Sequence, residues 1–287
     1  MRHIRRRPYI KFAAVAGLSC GLPWTASAQQ PRVYRFSPVN QYGIELTASY
    51  WNPIIDHVSR RSGVRLELKL GRTSADTTSH ALANEVEFLF SNHLFTPERE
   101  RLGWRIFARR STPAIHGALV VLANSSLRRL EDLDGKVVGF PGPEATVSYK
   151  FTYARLLERK INVQVVFGGN TDGALAQLAS GKVAAVGVNT QLADGWAKRE
   201  GRSLRELWRS GPVYDLPLMA ARSVPDADLQ AVKAAFIGMK SDPEGRQILQ
   251  STAAMVKLEP DTVFVTSDSA EYEVYREFFR SAPPQLR

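Results

Sequence analysis

The stretch from Leu130 to Leu157 constrains the fold most, because it places a turn, a short strand, a loop and a helix in direct succession. Residues 136–140 are strand-like, a Pro-Gly-Pro loop follows them, and apolar residues recur at helical spacing over 147–157. A helix that follows a strand directs unpaired N–H groups and the positive end of its dipole at whatever lies before it. We therefore predict an anion site here, with the hydroxyls of Thr146 and Ser148 beside it. An ordinary strand–helix connection capped by either hydroxyl is the alternative.

Strands and helices alternate on both sides of this stretch, which predicts an α/β fold. The first half has predicted strands at 33–37, 64–70 and 86–90, with helices between them that begin at Asn52-Pro53 and cover 77–84. The second half repeats the order, with strands at 117–123, 136–140, 162–167 and 183–188 and a helix that ends near Gly181. Further helices are predicted from 225, from 243 and over 272–279, before a frayed end at 282–284. This order implies parallel strands with right-handed crossovers. We expect two similar α/β lobes around a cleft, joined by crossover strands near 117–123 and 216–221.

Polar residues follow the predicted strands at the ends where parallel sheets bind ligands. The candidate ligand-binding residues at these ends are Asn40, Gln41, Ser91, Asn92, Thr146, Ser148, Thr171 and Asn189. His116 and Asp215 are also candidates, because they lie near the two expected crossing strands. The alternatives are structural: helix capping for Thr171, and a surface turn for Ser91 and Asn92. His116 also fits a hydrogen-bonded structural histidine, and Asp215 fits the end of a loop.

Residues 1–28 have the pattern of a cleavable signal peptide, with a basic start, a weakly apolar middle and Ala-Ser-Ala before the expected cleavage after Ala28. The pair Arg6-Arg7 also fits twin-arginine export, and a basic general secretory signal is the alternative. Cleavage removes five basic residues and no acid, leaving 33 basic against 28 acidic residues and a net charge of +5 rather than +10. A modest positive field suits an anionic ligand in the periplasm. No basic run with interleaved aromatic residues indicates nucleic acid as a partner.

The sequence lacks the short motifs that mark common enzymes. It has no P-loop, no GxGxxG and no GxSxG, and the four histidines after residue 28 lack metal-motif spacing. The single cysteine, Cys20, lies in the predicted signal peptide, so the mature chain has no thiol nucleophile, disulfide or thiolate metal site. We therefore expect no enzymatic activity, no cofactor and no metal.

Several segments together resemble the phosphate/phosphite/phosphonate-type periplasmic substrate-binding proteins of ABC transporters. Residues 130–157, LEDLDGKVVGFPGPEATVSYKFTYARLL, are similar to the family's strand, loop and site helix. Residues 165–189, VVFGGNTDGALAQLASGKVAAVGVN, are similar to its next loop, helix and strand, and 224–249 and 85–95 also match. The resemblance implies a bilobal type II periplasmic binding protein fold whose lobes hinge shut on a small ligand.

The resemblance also implies that the ligand's oxyanion lies at the N-terminus of the first helix of the second lobe, held by a Ser-Thr-Ser-Gly run and a histidine. The matching residues here are 145–148, Ala-Thr-Val-Ser, and the histidine position falls on Thr171. Only Thr146 keeps the family identity, so hydroxyl and imidazole donors are lost. Glu144 adds a carboxylate near the helix start, which is expected to repel an anion. A different small anion, or a less charged organic ligand, therefore also fits.

The resulting prediction is an exported solute-binding protein for an ABC importer, a monomer that passes a small, phosphonate-like anion to an inner-membrane permease. A periplasmic sensory module that signals to a sensor kinase is an alternative, and a periplasmic enzyme on the same fold is another. The expected lobes are residues 29–118 with 219–287, and residues 119–218.

Overall fold

The computed structural model describes residues 32–287, and the predicted signal peptide with Cys20 lies outside them. The strands are β1 (Val33–Pro38), β2 (Arg65–Leu68), β3 (Phe88–Phe90), β4 (Arg105–Arg110), β5 (Gly117–Leu122), β6 (Val137–Phe140), β7 (Gln164–Phe167), β8 (Ala185–Asn189), β9 (Leu204–Arg209), β10 (Pro217–Ala220) and β11 (Phe264–Thr266). The helices are α1 (Ile44–Ser62), α2 (Asp76–Leu82), α3 (Pro97–Glu100), α4 (Thr152–Glu158), α5 (Thr171–Ala179), α6 (Thr190–Glu200), α7 (Asp226–Gly238), α8 (Pro243–Val256) and α9 (Glu273–Ser281). Within the described residues, no helix combines the length and apolar character that a membrane span requires.

The first lobe, called lobe 1, is built on a six-stranded sheet with the order β11-β4-β10-β3-β1-β2. β1 pairs in parallel with both β2 and β3, which confirms the parallel arrangement predicted for the first half of the chain. β10 and β11 pair in antiparallel fashion with β4, and β10 also pairs so with β3. α1, α7 and α8 pack on this sheet around a core that includes Phe36, Trp51 and Phe236.

Helix α1 begins nine residues earlier than the sequence pattern predicts, at Ile44 rather than at Pro53. The Asn-Pro pair was expected to open the helix, but Pro53 lies inside it and α1 starts at Ile44. A proline inside a helix removes one backbone hydrogen bond and typically costs about 3 kcal/mol. Tyr50, Trp51 and Ile54 are all buried on one face of α1, and this packing outweighs the cost. The predicted end is confirmed, because Gly63 terminates the helix with a left-handed backbone, φ 71°.

The second lobe, called lobe 2, is built on a five-stranded sheet with the order β7-β6-β8-β5-β9. β6 pairs in parallel with β7 and β8, as predicted, and β5 pairs in antiparallel fashion with β8 and β9. One apolar cluster includes Leu175 and Trp196, and another includes Phe140 and Leu156. The predicted two-lobed α/β fold is therefore confirmed, while the residue limits 29–118 with 219–287 and 119–218 stay predictions.

The chain crosses between the lobes at a different place from the one predicted. The expected crossing strands near 117–123 and 216–221 are β5 and β10, and each lies inside the sheet of one lobe. The two connecting segments instead meet at an isolated antiparallel bridge between Ile115 and Val213. Apolar runs of this kind fit both a crossing segment and a central strand, so the sequence pattern does not separate the two.

The predicted last helix is confirmed, but the predicted frayed end is wrong. α9 is amphipathic and buries Tyr275 and Phe279. The residues after it turn back onto lobe 2, where Ala282 and Leu286 are buried against Ala154. Proline-rich composition predicted fraying, and the apolar contacts of Leu286 hold this segment in place.

Candidate functional site

A small cavity lies between loops of the two lobes. Its volume is about 40 Å³, enough for a group the size of a few water molecules. Lobe 1 contributes Val39, Asn40, Gln41, Ser74, Asn92, His93 and Leu216, and lobe 2 contributes Pro141, Ala145, Thr146, Val147, Ser148, Thr171, Asn189 and Leu192. The two lobes therefore enclose this space together, and only a small ligand fits inside it.

The wall contributed by lobe 2 is the start of a helix. A π-helical turn, Thr146–Phe151, continues directly into α4, and we call the whole segment 146–158 the site helix. The first backbone N–H groups of a helix have no partner within it, so those of Thr146, Val147 and Ser148 are available to a ligand. π-helical turns are rare and often occur at functional sites.

Glycines in the sheet allow the site helix to lie close to it. A Cβ atom at Gly187 of β8 would lie 2.3 Å from the carbonyl oxygen of Ser148 and 2.5 Å from the Phe140 ring. A Cβ atom at Gly117 of β5 would lie 2.4 Å from the carbonyl oxygen of Val147. Any side chain at either position therefore displaces the helix start, and with it the wall of the cavity.

Seven of the ten predicted ligand-binding residues line the cavity: Asn40, Gln41, Asn92, Thr146, Ser148, Thr171 and Asn189. The hydroxyls of lobe 2 do not cap the helices that follow them. Ala145 precedes the site helix without a side-chain cap, and the Thr146 hydroxyl donates to the backbone oxygen of Asn92, 3.2 Å away. Asn170, rather than Thr171, caps α5 by accepting from the N–H of Gly173. The capping alternative therefore does not account for these hydroxyls, and their role as ligand contacts stays a prediction.

The other three predicted residues lie outside the cavity wall. Ser91 is buried, and its hydroxyl oxygen accepts from the backbone N–H of His93. The Nδ1–H of His116 donates to the backbone oxygen of Ser210 at 2.8 Å, and the ring borders a separate cavity beside α6. Asp215 is fully buried in an ion pair with Arg110.

The Arg110–Asp215 pair contacts one residue of the cavity wall, Gln41. The Arg110 Nε and Nη2 atoms donate to the two Asp215 carboxylate oxygens at 2.6 and 3.2 Å, and Nη2 also donates to the Gln41 side-chain oxygen at 3.3 Å. The Arg110 guanidinium packs over the Phe90 ring, 4.7 Å from its centroid. Burial alone would lower the pKa of Arg110, but the Asp215 carboxylate, together with Tyr50 and Tyr42, outweighs burial and raises it. The pair therefore fixes the orientation of Gln41 in the wall.

The lining carries no formal charge within residues 32–287. Its side chains are amides, hydroxyls, apolar groups and one imidazole, that of His93. Burial lowers the pKa of His93 to about 4, so this imidazole is neutral at pH 7. The cavity therefore offers a ligand neutral hydrogen-bonding groups and a helix N-terminus rather than a cationic side chain.

Glu144 does not present the unpaired carboxylate that the sequence predicts. The Arg99 guanidinium of lobe 1 donates to both Glu144 oxygens, at 2.5 and 3.0 Å, and also to the backbone oxygen of His93. Burial would raise the pKa of Glu144, but the hydrogen bonds and charge of Arg99 outweigh it and lower the pKa. Because Arg99 neutralises this carboxylate, its expected repulsion of an anion is largely removed.

Several polar contacts across the cleft hold the lobes together around the cavity. They include the Arg99–Glu144 pair, the hydrogen bond from Thr146 to Asn92, and a backbone hydrogen bond from Ser74 N–H to Gly169 oxygen at 2.8 Å. Sequence reasoning missed Ser74, His93 and Arg99. Ser74 lies in the loop after β2, so the rule that selected Asn40 after β1 also applies to it.

The fold and the cavity define a class of protein: a two-lobed binding protein whose lobes enclose a small cavity bounded by a helix N-terminus. The chain belongs to the family described as "ABC transporter, phosphonate, periplasmic substrate-binding protein", which matches residues 36–262. It is therefore a periplasmic substrate-binding component of an ABC transporter of the phosphonate type. A sequence search of the curated proteins gives no match.

Solved structures share this fold. PhnD1 from Prochlorococcus marinus, in complex with methylphosphonate, has a TM-score of 0.72 and 16% identity over 87% of this chain and 98% of its own. A binding-protein component of an ABC phosphonate transporter from Pseudomonas aeruginosa has a TM-score of 0.70 and 17% identity over 88% of each chain. XAC2383 from Xanthomonas citri, bound to ATP, has a TM-score of 0.64 and 16% identity over 86% of this chain and 96% of its own. At these identities the likeness establishes the fold.

Proposed function

We propose that this chain captures a small oxyanion of the phosphonate class in the interlobe cavity and delivers it to an ABC permease in the inner membrane. It acts as an exported monomer, with residues 1–28 removed as a signal peptide, and it catalyses no reaction. Nucleic acid is not a partner. The family match favours import over the sensory and enzymatic alternatives.

One observation carries the proposal: the first turn of the site helix forms a wall of a cavity that both lobes enclose. Unpaired N–H groups and the helix dipole favour a negatively charged ligand at this position. The volume of about 40 Å³ favours a compact ligand, such as methylphosphonate, phosphite or phosphate. Contacts from both lobes couple the ligand to closure, because it bonds both walls only when they meet.

Substitution of Ser148 tests the proposed site in solution. Its side chain is buried, lines the cavity and lies on the first turn of the site helix. A hydrogen bond to a charged group contributes about 1.5–3 kcal/mol, so Ser148→Ala should weaken binding of an anion by about tenfold or more. Ser251→Ala, on the exposed side of α8, is the matched control.

The assay is isothermal titration of the mature chain with methylphosphonate, phosphite and phosphate. We expect at least one of them to bind, Ser148→Ala to weaken it, and Ser251→Ala to leave its dissociation constant unchanged. If none of the three binds, or if Ser148→Ala leaves the dissociation constant of the bound anion unchanged, the proposed site is wrong.

A further inference from the structure

The cavity wall combines an anion-binding helix start with a lack of positive side chains. Each arginine near the wall within residues 32–287 is already paired with a carboxylate: Arg99 with Glu144, Arg110 with Asp215, and Arg199 with Asp172. The buried Lys150 of the site helix lies over the Phe279 ring and does not line the cavity. A buried ion without a counter-charge is strongly disfavoured, and the penalty rises with its charge. Such a wall therefore favours an anion that carries a single charge.

Asn40 presents a hydrogen-bond acceptor that has no partner. Its Nδ2 atom donates to the backbone oxygen of Gly71 at 2.6 Å, and this bond fixes the orientation of the side-chain amide. The Oδ1 atom is buried and accepts no hydrogen bond, although Asn40 is only 1% exposed and lines the cavity. The hydroxyl of Ser74, another lining residue, is also buried without a partner.

A buried acceptor is costly unless a donor reaches it. A fully deprotonated anion has no donor to offer and would place a negative oxygen against Asn40 Oδ1. A singly protonated oxyacid has one O–H group for Asn40 and deprotonated oxygens for the helix N–H groups. The hydroxyl of Ser74 can donate or accept, so it suits either kind of oxygen.

We infer that the site takes the singly protonated, monoanionic form of a small oxyacid, whose O–H group donates to Asn40 Oδ1. This inference rests on the proposed function, since it concerns the ligand of the same cavity. It separates phosphonates and phosphite, whose monoanions keep one O–H group, from sulfonates of the same shape, whose monoanions carry none; the phosphate monoanion carries two, one of which can donate to Asn40 Oδ1.

Other groups around the cavity also titrate, so the test must separate their effect from that of the ligand. Besides the three ion pairs, these groups are His93, Lys150 and Asp76. His93 is neutral above its pKa of about 4, and burial lowers the pKa of Lys150. The pKa of Asp76 is lowered, chiefly by the hydrogen bond from the backbone N–H of Thr73. Burial raises the pKa of Asp172, which accepts from the Gly43 N–H at the edge of the cleft. Titration of any of these protein groups affects phosphonate and sulfonate binding alike, whereas titration of the ligand affects phosphonate alone.

The experiment titrates the mature chain with methylphosphonate and with methanesulfonate between pH 5.5 and 9. Above the second pKa of methylphosphonate, its dissociation constant should rise about tenfold per pH unit relative to that of methanesulfonate, because one proton must be taken up on binding. At pH 6 methylphosphonate should bind at least tenfold more tightly than methanesulfonate. Repeating the titration in buffers of different ionisation enthalpy should give uptake of one proton per ligand above that pKa.

Asn40→Ala tests whether Asn40 accepts the hydrogen bond from the O–H group of the ligand. It should reduce the preference for methylphosphonate over methanesulfonate to about threefold or less, while Ser251→Ala keeps the full preference. If Asn40→Ala fails to fold, the proton uptake of the unaltered chain decides the question by itself. Binding of methylphosphonate without proton uptake, or tighter binding as the pH rises, overturns this inference and leaves the proposed function intact. If methylphosphonate, phosphite and phosphate all fail to bind at every pH, the proposed function is wrong, and so is this inference.

Discussion

The ion pair between Arg99 and Glu144 joins the two lobes beside the cavity, and its removal should weaken ligand binding. Arg99 lies on α3 of lobe 1, and Glu144 lies in the loop before the site helix of lobe 2. The two side chains are 20% and 22% exposed, and the pair is bidentate. Because the pair forms across the cleft, it exists only when the lobes are closed.

The magnitude follows from this partial burial. Exposed pairs contribute about 0–1 kcal/mol, while breaking a buried pair costs about 3–5 kcal/mol, so we expect about 1–2 kcal/mol for this one. In the proposed function closure accompanies binding, so this free energy enters the affinity directly. Glu144→Gln should therefore raise the dissociation constant for the bound anion by roughly 5–30-fold.

The assay is isothermal titration of Glu144→Gln, Arg99→Met and the double variant, with small-angle scattering to follow closure. The double variant should be no weaker than the worse single one, since each change breaks the same pair. Asp226→Asn is the matched control, because that carboxylate pairs with Arg105 within lobe 1 and is 89% exposed. If Glu144 acted mainly by repelling the anion, Glu144→Gln would tighten binding. An unchanged or tighter dissociation constant therefore refutes the closure argument.

The remaining predictions concern the supports of the site. Asp215→Asn should destabilise the chain by about 3–5 kcal/mol in urea unfolding, because it leaves Arg110 charged and buried, and a loss below 1 kcal/mol would contradict this. Gly187→Ala should cost about 1–3 kcal/mol by urea unfolding and weaken anion binding by titration, whereas Gly238→Ala, where an added Cβ has free space, should do neither. The pKa of His93 is lowered to about 4 in the fold from an ordinary 6.5, so the unfolded chain binds the extra proton and stability should fall as the pH decreases from 6.5 to 4. His93→Gln should remove on the order of 3 kcal/mol of that pH dependence, measured by urea unfolding at pH 4.5 and 7, and an unchanged pH profile would contradict the assignment.

Strands with a clear apolar pattern were predictable from the sequence, and strands rich in charge were not. VRLELKL alternates strictly and contains β2, and the valine-rich runs correspond to β5, β6 and β8. The strand β4, RIFARR, was missed because its arginines suggest an exposed loop. Arg110 is nevertheless buried, since Asp215 neutralises it from a position 105 residues further along the chain. No local pattern reports a pairing over that distance.

The site was also predictable only in part, because local sequence patterns report strand ends but not pairings between residues far apart in the chain. The rule that ligands lie beyond the carboxyl ends of parallel strands selected Asn40 and Asn189, and both line the cavity. Asp215 was selected because it lies near the second expected crossing strand, and the sequence does not show that a buried arginine already pairs with that carboxylate. The pairing of Glu144 with Arg99 joins two lobes, so it too depends on the way they close rather than on spacing in the chain.

The most direct test of the site is a crystal structure of the mature chain grown with methylphosphonate. We expect the phosphonate between Asn40 and the first turn of the site helix, with its oxygens within hydrogen-bond distance of the backbone N–H groups of residues 146–148. An anion that lies outside this cavity, or a cavity that stays free of it at a concentration saturating in solution, would contradict the assignment of the site.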